Sequence, residues 1–206
     1  MNHDLFHMNY SKYQVYFTRP NQGRFFDYNF EVFMSKFMMA MLVALLGASY
    51  SVSAAIDETI RLKDSIEVNA PADKVWAKIG NFADMSWHPA IAKTEITGGK
   101  ANEVGATRVL TLKDGGNVNE VLTSYDAASM TMKYEITESV LPVREYGATL
   151  KVEAAGEGKS VVTWRTMFKR KDPANPGAAG QDDAAAKAAI SGILRSGLES
   201  IKKTSE

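Results

Sequence analysis

Between residues 91 and 170 the chain runs through six β-type segments, 91–97, 107–112, 117–125, 131–138, 144–154 and 160–170, each rich in Val, Thr, Tyr or Ile. The links between them are turn formers, among them Gly98-Gly99, Asp114-Gly115-Gly116, Leu141-Pro142 and Gly156-Glu157-Gly158. None is long enough for the dozen or more residues that a parallel crossover needs, so neighbours in sequence must pair antiparallel. Ahead of this meander, residues 60–69 alternate as a first strand, and Pro71 opens a helix over 72–79 in which Val75, Trp76 and Ile79 share a face. A short second helix or turn is expected over 82–86. Behind the meander, residues 182–203 are helix formers that put Ile190, Ile193, Leu194, Gly197, Leu198 and Ile201 on one stripe. The fold class is therefore α+β, in the order β-α-α-β6-α, with a curved antiparallel sheet wrapped around a long C-terminal helix. Such a sheet is expected to stand off from the helical stripe and leave room for a small apolar ligand.

The chain has 206 residues, with 24 Lys and Arg against 24 Asp and Glu, and this balance gives no general attraction to nucleic acid or anionic membranes. It has no cysteine, which excludes disulfides, thiolate zinc sites and thiol nucleophiles. Residues 34–54 read as a secretory signal: Lys36 supplies the basic start, 37–48 the apolar run and Val52-Ser53-Ala54 the small-residue cleavage pattern. Cleavage is expected after Ala54, giving a periplasmic or secreted domain over 55–206 that meets the membrane only during export. An uncleaved anchor is the alternative. Residues 1–33, with ten of the chain's seventeen Phe and Tyr, show no sustained period, and read as an upstream start-site artefact or a removed or loosely ordered leader.

His88, in the run Trp87-His88-Pro89, is the one histidine after the signal. Zinc would need three or four ligands, which one imidazole and no thiolate cannot readily supply, so no metal or other cofactor is expected. Either Trp87 and Pro89 pack at a pocket rim while His88 bonds a backbone group and fixes the loop, or His88 faces the pocket and exchanges protons with a ligand. Strand parity across the 114–116 turn puts Arg108, Leu110, Leu112, Val118, Glu120 and Leu122 on the greasier face. Arg108 and Glu120 are then expected inside as a diagonal pair, neutralising each other or orienting a ligand, with Glu120 a candidate base. Tyr134, Tyr146 and Trp164 lie on the apolar parity of their strands, as core or as pocket lining. Arg144, Glu145 and Arg165 are expected on the solvent face. No large charge patch is evident in the sequence.

The blocks 70–91 (APADKVWAKIGNFADMSWHPAI), 105–122 (GATRVLTLKDGGNVNEVL) and 138–168 (ESVLPVREYGATLKV with VVTWRTMF) resemble the START/Bet v1-like (SRPBCC) superfamily, in its bacterial polyketide cyclase/dehydrase-like branch. The resemblance implies a helix-grip fold around a hydrophobic cavity. With the signal, it also extends to the MxaD-type periplasmic proteins linked to methanol oxidation. Fold alone does not choose a function. The first expectation is a binder of a small hydrophobic or aromatic ligand through Trp87, His88, Arg108, Glu120, Tyr134, Tyr146 and Trp164. The alternatives are an accessory partner of a periplasmic redox enzyme, and a cyclase or dehydratase using His88 and Glu120.

Overall fold

The computed structural model describes residues 57–174 and 177–206. The upstream segment, the signal and the cleavage site lie outside the described residues. Strands β1 (Ile60–Val68), β2 (Ile91–Gly98), β3 (Thr107–Leu112), β4 (Asn117–Asp126), β5 (Thr131–Ser139), β6 (Val143–Ala154) and β7 (Ser160–Arg170) form one sheet in the order β1-β7-β6-β5-β4-β3-β2. Every pairing is antiparallel, and β1 closes the meander by pairing with β7.

Helix α1 (Ala72–Ile79) follows Pro71 and buries Ala72, Val75, Trp76 and Ile79. Gly80 caps it, its N–H donating to the Trp76 carbonyl at 2.7 Å, and a side chain there would run into the Trp76 indole, 2.5 Å from its nearest ring atom. Helix α2 (Asp183–Ser205) starts at Asp182, whose carboxylate accepts from the Ala185 N–H at 2.8 Å. Lys202 and Lys203 suit the negative end of its dipole. The expected stripe is the buried one except for half-buried Ile193: Ile190, Leu194, Gly197, Leu198 and Ile201 are buried on the side of α2 that packs on β1, β7 and α1.

Three local features sharpen or correct the expectation. Of the helix or turn expected over 82–86 the structure has the turn, because Asn81 and Asp84 bring their side chains onto the backbone N–H groups of Ala83 and Ser86 and so compete with helical bonding. Arg108 and Glu120 are direct cross-strand partners, not diagonal ones, because the turn at Gly115 and Gly116, both at positive φ, sets the β3–β4 register. In β6 a bulge between Arg144 and Gly147, with Glu145 at φ 51°, lets both Val143 and Tyr146 face the core. It also turns Arg144 outward, where it pairs with Asp57 and Glu145.

Candidate functional site

The loop between α1 and β2 is fastened to α2 by His88. Its Nε2 donates to the Ile193 carbonyl at 3.0 Å, and its Nδ1 accepts from the Ala90 N–H at 3.2 Å. One backbone donor and one backbone acceptor therefore hold the imidazole neutral in a single tautomer. Burial lowers its pKa further, against the pull of the Ile193 carbonyl. The Ser200 hydroxyl adds a second tie, donating to the Trp87 carbonyl at 2.6 Å.

Trp164 sits at the centre of this arrangement. The His88 ring meets it edge-on at 6.0 Å, the Trp87 ring lies 5.8 Å away, and its own Nε1 donates to the Tyr134 hydroxyl at 3.0 Å. Helix α2 reaches this cluster at Gly197, where a Cβ would stand 2.7 Å from His88 Cδ2 and 2.8 Å from Trp164 Cζ3. Only glycine lets helix and sheet come so close. Over its C-terminal half, then, α2 meshes with the sheet and does not stand off from it.

Arg108 and Glu120 form a buried pair. Nε and Nη2 of Arg108 donate to Glu120 Oε2 at 2.7 and 2.6 Å, and Nη1 donates to the Phe82 carbonyl at 2.7 Å. The guanidinium lies against two rings, 4.1 Å from the Phe82 centroid and 5.3 Å from that of Tyr134. Burial pushes the Glu120 carboxyl above its ordinary value, opposed by Arg108. Both Arg108 contacts use Oε2, so Oε1 makes no hydrogen bond to a described residue.

Towards the N-terminal half of α2 the layers part. A cleft of about 50 Å³ remains, lined by Leu110, Leu112, Val118, Ile136, Leu141, Ile190 and Ile193, among others, together with His88, Glu120, Tyr134, Tyr146 and Trp164. Burial raises both phenols, and the Tyr146 hydroxyl has no hydrogen-bond partner among the described residues. Of the seven expected site residues, five line the cleft. Trp87 stands behind His88, its Nε1 buried without a partner among the described residues, and Arg108 stands behind Glu120. The contributions of Phe82, the Ile193 carbonyl and Gly197 had no periodic signature. Ile193 and Gly197 were on the expected stripe as packing residues, but the period marks neither the carbonyl bond of the one nor the close approach at the other.

Seven antiparallel strands gripping one long helix over a small, mostly apolar cleft define a helix-grip protein of the Bet v1-like (SRPBCC) kind. The chain belongs to the family described as polyketide cyclase / dehydrase and lipid transport, which matches residues 59–206. Among solved structures it is similar to the protein XoxI from Bacillus cereus, at 25% identity and a TM-score of 0.61 over 70% of this chain and 94% of that one. A protein from Nitrosospira multiformis matches at 24% identity and a TM-score of 0.59, covering 71% of this chain and 97% of its own. Ara h 8.0201 matches at 18% identity and a TM-score of 0.56, covering 72% and 98%, a likeness of fold alone. No curated protein matches the chain.

Proposed function

We propose that this protein binds a small, mostly apolar ligand in the cleft between the N-terminal half of α2 and the inner face of β3 to β6, and that it does so outside the cytoplasm after cleavage at Ala54. The reading is carried by two polar residues in an otherwise greasy cleft, Glu120 and Tyr146, whose Oε1 and hydroxyl have no protein partner among the described residues. Neither atom is sealed away from the cleft, so a polar group of a guest can reach both. About 50 Å³ accommodates a few water-sized groups, whereas a drug-sized guest needs several hundred. Binding therefore selects a conformation in which Ile190 and Ile193 have moved away from Ile136 and Leu141.

The enzyme reading through His88 is weaker, because both ring nitrogens are committed to backbone groups and proton exchange would release the loop. An accessory role beside a periplasmic redox enzyme remains the second reading, resting on the MxaD-like resemblance. The ligand reading is tested by native mass spectrometry of freshly purified protein, with titration of the neutral dye N-phenyl-1-naphthylamine. A co-purifying guest or saturable dye binding, lost in Ile193→Trp, is expected. Neither guest nor dye binding would overturn it. N-terminal sequencing of exported protein, expected to begin at Ala55, tests the location.

A further inference from the structure

The outer face of the sheet carries an arrangement that the ligand reading leaves unused. The register sets two rows of outward side chains across β5, β6, β7 and β1: Glu135, Gly147, Met167 and Arg61 in one, and Lys133, Thr149, Arg165 and Lys63 in the next. With Leu62, these residues line an open groove of about 500 Å³. All four cations are exposed, and none has a carboxylate at ion-pairing distance among the described residues. The neighbouring acids are engaged elsewhere, Glu153 with Lys151 and Asp64 with Arg195. Glu135 is the one acid in the groove.

Two details suggest that this is more than a solvated face. Lys63 and Arg165 stand directly opposite each other in the β1–β7 ladder, a like-charge pairing that weakens a sheet. Glu153 feels both cations but is held by Lys151 at 2.6 Å. The floor of the groove is Gly147, although packing does not demand glycine there: a Cβ would meet Met167 Cγ at 3.7 Å and Glu135 Cγ at 3.9 Å, ordinary contacts. The missing side chain keeps the groove deep, and the rim supplies an apolar surface in Met167, which is 48% exposed.

We propose that this groove receives an acidic, partly apolar stretch of a protein partner. Four cations with no carboxylate partner among the described residues call for several carboxylates, and the exposed Met167 calls for an apolar side chain among them. A duplex presents its phosphates on a convex cylinder and a bilayer is flat, so neither reaches a floor set at Gly147, whereas an extended peptide does. The overall charge balance of the chain likewise gives no general affinity for polyanions. The proposal is independent of the ligand reading, since the cleft lies on the other side of the sheet.

The test is fluorescence anisotropy of a fluorescein-labelled peptide of alternating glutamate and leucine, titrated with the purified protein. Saturable binding that weakens with added salt is expected. It should fall about tenfold in Lys63→Ser/Arg165→Ser, as removal of two exposed ion contacts predicts. It should also fall in Gly147→Leu, which fills the floor without changing charge, and stay unchanged in Lys93→Ser/Lys100→Ser on the far edge. No binding, equal binding by both groove variants and wild type, or tighter binding of single-stranded DNA or phosphatidylglycerol vesicles than of the peptide would overturn the proposal.

Discussion

His88 illustrates how a residue that looks chemical can be held in a structural role by its neighbours. Its ring donates to Ile193 and accepts from Ala90, and only the neutral form can do both. Burial, the largest effect, sets its folded pKa below 6.5, with Lys113 adding a small push in the same direction. Below pH 6.5 the unfolded chain therefore takes up the proton more readily than the folded one, so stability is fully present above that pH. It is lost as pH falls towards the folded pKa. Glu120, raised by burial, contributes the opposite slope, losing stability as pH rises. Melting curves of wild type and His88→Gln across pH 5 to 7 separate the two, since the Glu120 contribution is common to both. The acid-side decline should be shallower in the variant, and equal slopes would remove His88 from the account. Arg108 offers a sharper test of burial. Arg108→Met leaves the Glu120 carboxyl buried without its partner and should cost roughly 3–5 kcal/mol by urea denaturation. Arg108→Met/Glu120→Leu, which removes both charges, should regain most of that loss.

Among the elements, α2 carries two glycines with opposite reasons for being there. Gly197 is pressed against His88 and Trp164, whereas a Cβ at Gly192 would meet nothing within 4 Å. Gly192→Ala should therefore stabilise the protein by about 0.5–1 kcal/mol through helix propensity alone. Gly197→Ala gains the same propensity but drives a methyl into two rings, and should destabilise by about 1–2 kcal/mol net. Thermal or urea unfolding of the pair checks this, and a stabilised Gly197→Ala would mean that the helix yields freely. The contrast also shows what was legible in the sequence. The strands and the helical stripe were readable because alternation and the helical period report which side of an element is buried, as with Leu110, Val118, Leu122, Ile190 and Leu198. The contact between His88 and Ile193 spans 105 residues and leaves no period behind it. The bulge at Glu145 breaks the very alternation that would have located it. The row of Lys133, Arg165 and Lys63 becomes visible only once the register of four strands is known, which is why the sequence showed no charge patch.

For the molecule as a whole, the relation between helix and sheet decides whether a guest can enter. The sheet was expected to stand off from the helical stripe, but α2 is pinned over its C-terminal half by Gly197 against Trp164, by His88 at Ile193, and by Ser200 at Trp87. Ahead of the His88 tie, the helix covers the cleft through Ile190 and Ile193, and its first turn is held by the Asp182 cap and the Arg170–Asp183 pair at 3.4 Å. Arg170 is buried but spends most of its donors on the carbonyls of Asp172, Pro173 and Ala174, and the Asp183 carboxylate is 42% exposed, so this long pair adds little. The helix is thus stabilised unevenly, and opening from its N-terminal end is the least costly way to enlarge the cleft. Amide hydrogen exchange followed by mass spectrometry should show faster exchange over 183–192 than over 194–205. N-phenyl-1-naphthylamine should slow the first segment while leaving the second nearly unchanged, because a bound guest stabilises the conformation that holds it. Uniform protection along α2, with or without the dye, would mean that the helix moves as one body and that a guest must enter by another route.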